Sequence, residues 1–137
     1  MGDRCNIALT VRKSDVGRWD HIFGGENWDF CSQDNPDNPE LMDAEVEEIN
    51  YGGNPEVEAA VQAGLVFVGN HSSGACYPAG RFASDGKHAY YWELDHGGDF
   101  TVKVVTGKVS KPELTKLRAF RQNYNRVCKS LKLKARV

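Results

Sequence analysis

The chain has no hydrophobic run able to cross a bilayer. Its longest, from Gly64 to Gly69, falls far short of the ~20 apolar residues that a span requires. Closely paired cysteines are missing too. Cys5, Cys31, Cys76 and Cys128 are widely scattered, which excludes a CxxC clip or paired zinc ligands and fits reduced thiols better than a disulfide framework. The glycine pairs at 24–25, 52–53 and 97–98 lack the strand, loop and helix order of a phosphate-binding or dinucleotide fingerprint, so they are turn punctuation. No signal-type apolar stretch opens the chain, and residue 6 is Asn where a myristoylation motif requires Ser or Thr. These absences point to a cytoplasmic protein with no membrane partner, no metal and no cofactor.

Charge of one sign is nearly absent from each of two long blocks. Residues 14–60 hold thirteen Asp and Glu against the single Arg18, whereas residues 103–137 hold eleven Lys and Arg against the single Glu113. The net charge of −2 therefore conceals blocks of −12 and +10. Separation of this kind bears on association with charged partners rather than on fold.

At 137 residues with 40% apolar and 26% charged content, the chain suits one globular domain with a core of its own. Ile7, Leu9 and Val11 alternate with Ala8, Thr10 and Arg12, predicting a strand from about Cys5 to Arg12. Val16, Trp19 and Phe23 then recur at helical spacing before Gly24 and Gly25. Residues 24–45 show neither period and contain Asn-Pro twice, so they are expected to form a long acidic loop. Residues 46–51 could add a short edge strand. Asn54-Pro55-Glu56 opens a second short helix that Gly64 closes. Leu65 to Val68 is a strand buried on both faces.

Lys87 to Leu94 and Asp99 to Val105, separated by Gly97-Gly98, predict an antiparallel pair. Ser110-Lys111-Pro112-Glu113 fits a capping box opening the longest helix. Its stripe of Leu114, Leu117, Phe120, Tyr124, Val127 and Leu131 occupies an arc of about 140° at 100° per residue. Residues 133–137 make a frayed basic tail. The expectation is a single two-layer α+β domain, with an antiparallel sheet of about four to five strands. The long helix packs on one face of that sheet, and the two short helices flank the same face.

Two charged surfaces compete as binding sites. In the acidic block, Asp34, Asp37, Glu40, Asp43, Glu45, Glu47 and Glu48 are interleaved with apolar anchors such as Trp28 and Phe30. Negative charge combined with aromatic anchors suits capture of a basic protein surface, for instance one that handles nucleic acid, by an inhibitor-type accessory protein. The spacing of Asp34, Asp37, Glu40 and Asp43 does not match an EF-hand. The runner-up is nucleic-acid binding through Arg118, Arg121, Arg126, Lys129 and Lys132, although no recognised nucleic-acid motif accompanies them. Self-association, basic helix to acidic block, is a further option.

An enzyme is the weakest reading. Cys76 would need His71 or His96 within reach, oriented by Asp95 or Asp99, and nothing in the spacing demands it. The sequence alone therefore favours a non-enzymatic protein-binding module.

Overall fold

Alternation in the first strand builds the middle of a sheet. The computed structural model describes residues 4–24, 33–50, 54–74, 78–95, 97–102, 104–105 and 107–133. In it β1 (Arg4–Arg12) pairs with β3 (Leu41–Asn50) on one side and β4 (Val66–His71) on the other. The two-residue β2 (Gln33–Asp34) lies outside β3, while β5 (Ala79–Asp85) and β6 (Ala89–Leu94) follow β4. The order is β2-β3-β1-β4-β5-β6, with every pairing antiparallel. A separate hairpin joins β7 (Val104–Val105) to β8 (Lys108–Val109).

Three helices complete the fold. α1 (Val16–Phe23) ends on Gly24 in the left-handed region, and α2 (Asn54–Gln62) is followed by Gly64 at φ +78°. α3 (Lys111–Ser130) starts as its capping box predicts, with Glu113 N–H donating to Ser110 Oγ at 3.2 Å. No helix among the described residues is long and apolar enough to cross a membrane.

The α+β class, the antiparallel sheet and the long C-terminal helix are as the sequence implied. Six strands form the main sheet, and the helices divide between its faces. Trp19 and Phe23 of α1 and Ala60 of α2 pack on Ile7, Leu9, Val11, Phe67 and Phe82. Phe120, Tyr124 and Val127 of α3 and Leu131 at its C-cap pack on Leu41, Val68 and Ala83. The expectation of two layers, with the short helices beside α3, is thus corrected to three. β4 supplies the reason: Phe67 points one way and Val66 and Val68 the other, so this strand needs cover on both faces.

The expected loop over 24–45 is also shorter. Residues 25–32 lie outside the described residues, but 33–34 and 41–45 are strand. Met42, Ala44 and Val46 face α1 and α2 while Asp43 and Glu45 face away, a clean period of two that carboxylates disguise. Residues 35–40 form a turn stitched by its own side chains. Asn35 Oδ1 accepts from the Asp37 and Asn38 N–H groups at 2.9 and 3.2 Å, and Asn38 Oδ1 accepts from Glu40 N–H at 3.0 Å.

Among the described residues, the expected strand over 99–105 reduces to a bridge between Phe100 and Leu94, plus β7. Phe100 instead turns its ring under α3, 6.0 Å from the Phe120 ring. Of the predicted tail, Leu133 packs against the α3 core and 134–137 lie outside the described residues.

Candidate binding groove

α3 crosses the sheet on a diagonal. Midway along it, Phe120 packs on Trp92 and Phe100, at the end of β6. Its C-terminal end is tied to the turn before β3, where Asn38 Nδ2 donates to the Leu131 carbonyl at 3.0 Å. This course covers two opposite corners of the face and leaves a third open, formed by the later half of β3, the start of β1, the end of β4 and the start of β5. Two cavities of about 480 and 460 Å³ lie there and share Ala8, Glu45 and Asn70. Tyr124 and Cys128 of α3, with Leu133 just beyond the helix, wall the first.

Strand register decides what lines the floor. Glu45, Ala8, Asn70, Arg81 and Trp92 form one rung across five strands, and Asp43, Thr10, Val68, Ala83 and Tyr90 form the next. Adjacent strands are ~4.8 Å apart, which places the Glu45 and Arg81 backbones ~14 Å from one another. Ala8 and Asn70 between them are a methyl and a short amide, so the floor dips between a carboxylate and a guanidinium.

The predicted acids do not form one patch. Asp43, Glu45 and Glu47 alternate along β3 on the α3 side. Among the described residues, no cation comes within ion-pair distance of exposed Glu45 or Glu47. Asp43 is structural: its Oδ1 accepts from Thr10 Oγ1 at 2.8 Å and Asn35 Nδ2 at 2.9 Å. Asp34 pairs in register with Met42, which puts it on the opposite face, and its carboxylate meets Lys13 at 2.6 Å. Asp37 and Glu40 belong to the hairpin turn. Trp28 and Phe30 lie outside the described residues, as does the Glu48 side chain.

The predicted cations are all exposed, four of them on α3 and Lys132 in the turn just beyond it at φ +56°, and those on the helix do not share a flank. At 100° per residue Arg121 and Arg126 fall on opposite sides of the buried stripe, with Arg118 and Lys129 on the solvent arc between them. Arg121 stacks over Phe100 at 5.8 Å. Arg126 donates to Asn123 Oδ1 at 2.8 Å, on the side of Tyr90. The acidic strip of β3 therefore occupies the same face of the sheet as the basic helix, and carboxylates border the groove that α3 walls.

Of the residues in the enzyme reading, Cys76 and His96 lie outside the described residues. His71 is buried, with Nδ1 3.0 Å from the Ser72 carbonyl and Nε2 3.1 Å from Tyr91 Oη. Nδ1–H donating to that carbonyl leaves Nε2 to accept from the phenol, so the imidazole is held rather than presented. Burial raises the Tyr91 pKa, and Glu93 and Cys5 raise it further. Asp95 Oδ1 accepts from the Gly97 and Asp99 N–H groups at 2.8 and 2.9 Å, closing a turn.

Arg81 and Asn70 are site residues that sequence reasoning missed. β5 carries Gly80, Arg81 and Ser84 between its apolar positions, which hides its alternation. Comparison of the chain with family models, curated proteins and solved structures finds no match.

Proposed function

We propose that the protein is a small, non-enzymatic binding module whose β3 strip engages a basic segment of another protein at the open corner of the sheet. The observation that carries this is the alternation of Asp43, Glu45 and Glu47 along the part of β3 that α3 leaves uncovered, with no described cation on Glu45 or Glu47. Unneutralised charge beside a concave floor attracts the opposite charge and sets the register of its approach.

The test separates this strip from the rest of the acidic block. Anisotropy of a labelled lysine-rich peptide is titrated with wild-type protein, with E45K/E47K and with D34K/D37K, all at low ionic strength. The proposal expects E45K/E47K to abolish binding and D34K/D37K, on the other face and in the turn, to retain most of it. Equal loss in both variants would reduce the interaction to net charge and remove the groove from it.

A further inference from the structure

Arg81 brings a positive charge to the groove that no described carboxylate neutralises. Its guanidinium lies 5.2 Å from the Phe100 ring centroid and 5.6 Å from that of Tyr124, and Arg121 shares the Phe100 ring. Stacking fixes the plane of a guanidinium but leaves its N–H edges available, and that planar fork suits a carboxylate or phosphate. The cavity beside Arg81 adds Asn70, Ser72 and Ser73, with Glu45 on its far side.

The balance of charge in that cavity selects the ligand. Glu45 and Asp95 line it together with Arg81, and Arg121 stands beside it on the Phe100 ring, so carboxylates and guanidiniums balance and a ligand of one sign alone meets repulsion as well as attraction. A ligand with one negative group and a neighbouring positive one satisfies both sides. The end of a basic polypeptide has this character, with its terminal carboxylate a residue or two from a lysine or arginine. Two residues of extended chain cover ~7 Å, and long side chains at both ends supply the rest of the ~14 Å between the Arg81 and Glu45 backbones.

The geometry points to capture of a basic chain by its free C-terminus, with the terminal carboxylate on Arg81 and Arg121 and a lysine or arginine side chain on Glu45. The cationic half of this rests on the β3 strip reading above; the carboxylate half stands on Arg81 and its aromatic support. The groove thereby distinguishes a chain end from an internal basic stretch.

The experiment compares a fluorescein-labelled tetralysine peptide having a free C-terminus with the same peptide amidated. Both are titrated with wild-type protein, R81Q, the surface variant R121Q and E45Q/E47Q, after thermal melts confirm that each variant is folded. Amidation should weaken binding to wild type about tenfold, as expected for loss of a charge-assisted pair. R81Q should bind both peptides alike, at the level of wild type with the amide, and R121Q should show a smaller loss in the same direction. If R81Q does not fold, R121Q alone decides the question.

Equal binding of acid and amide by wild type, with both weakened in E45Q/E47Q, would overturn the carboxylate site and leave the β3 strip standing. Unchanged binding in E45Q/E47Q beside an acid preference that Arg81 controls would do the reverse. Displacement of the peptide by inorganic phosphate from wild type but not from R81Q would assign the guanidinium to phosphate and overturn the chain-end inference.

Discussion

Glu45 and Arg81 stand on one rung of the sheet with only Ala8 and Asn70 between them, and neither meets an opposite charge among the described residues. Opposite charges left apart across a concave floor are a poor way to hold a fold together and a suitable way to orient a ligand. Asp43, one rung away, does the contrary work. Its carboxylate joins Thr10 of β1 to Asn35 of the hairpin turn.

That difference yields the first prediction. E45K and E47K should each change unfolding free energy by no more than ~0.5 kcal/mol, as expected of exposed positions without partners. D43A leaves the partly buried Thr10 hydroxyl and Asn35 amide without their acceptor and should cost about 2 kcal/mol. Urea denaturation of the three variants checks this, and equal stability of D43A and E45K would contradict it.

Gly80 and Tyr91 are expected to be coupled. A Cβ on residue 80 would overlap Tyr91 Oη and the ring edge beside it, so the ring must swing off Gly80 and give up its bond to His71. G80A should therefore cost about 2 kcal/mol through overpacking, and Y91F about 1 kcal/mol through the lost hydrogen bond. In G80A/Y91A the obstruction is gone, and the double variant should be more stable than the summed costs of G80A and Y91A measured singly imply. Additivity across that cycle would show that the ring does not lie over Gly80.

Asp85 makes the β5–β6 turn sensitive to acid. Its carboxylate accepts from His88 N–H at 2.7 Å and Lys87 N–H at 2.8 Å, with Tyr90 Oη donating at 3.0 Å, and the pKa falls to about 2. A pKa lower in the folded state than in the unfolded chain means that the stabilisation is complete above about 3.8 and is lost as pH falls towards about 2. Thermal melts of wild type and D85A should differ at neutral pH and converge in that window. A gap that persists at pH 2 would place the effect elsewhere.

The basic helix should be a weak nucleic-acid ligand. Arg121 and Arg126 diverge around α3, and the groove on its Arg121 side is bordered by Asp43 and Glu45. Electrophoretic mobility of a duplex DNA fragment should remain unshifted at physiological salt, whereas E45Q/E47Q should gain affinity as the carboxylates are removed. A wild-type shift that R118Q/K129Q abolishes would favour the helix as the functional surface.

Much of the fold is legible from periodicity. β1, α1, α2, β4 and α3 each carry an apolar repeat bounded by Gly, Pro or a capping residue, and each forms near its expected limits. What the sequence hides is strand character written in unusual residues. Carboxylates on one side of β3 and Gly80 and Ser84 within β5 break the apolar pattern. Each nevertheless has a local cause: Ser84 Oγ donates to the Leu65 carbonyl at 2.8 Å, and Gly80 makes room for Tyr91. The groove was less legible still. The acids of β3 are visible, but their neighbours Asn70 and Arg81 join them only through strand register, and the far end of α3 is tied down by a bond between Asn38 and Leu131, 93 residues apart.

Chemical-shift mapping tests the central claim most directly, since it reports where a ligand sits without presuming the partner. Backbone amide spectra of the wild-type protein are recorded as free-acid tetralysine is added. The account predicts shifts concentrated at Asn6, Ala8, Glu45, Glu47, Asn70 and Arg81, on one face and one corner of the sheet. Shifts confined to Asp34, Asp37 and Glu40, or spread evenly over every exposed carboxylate, would contradict it.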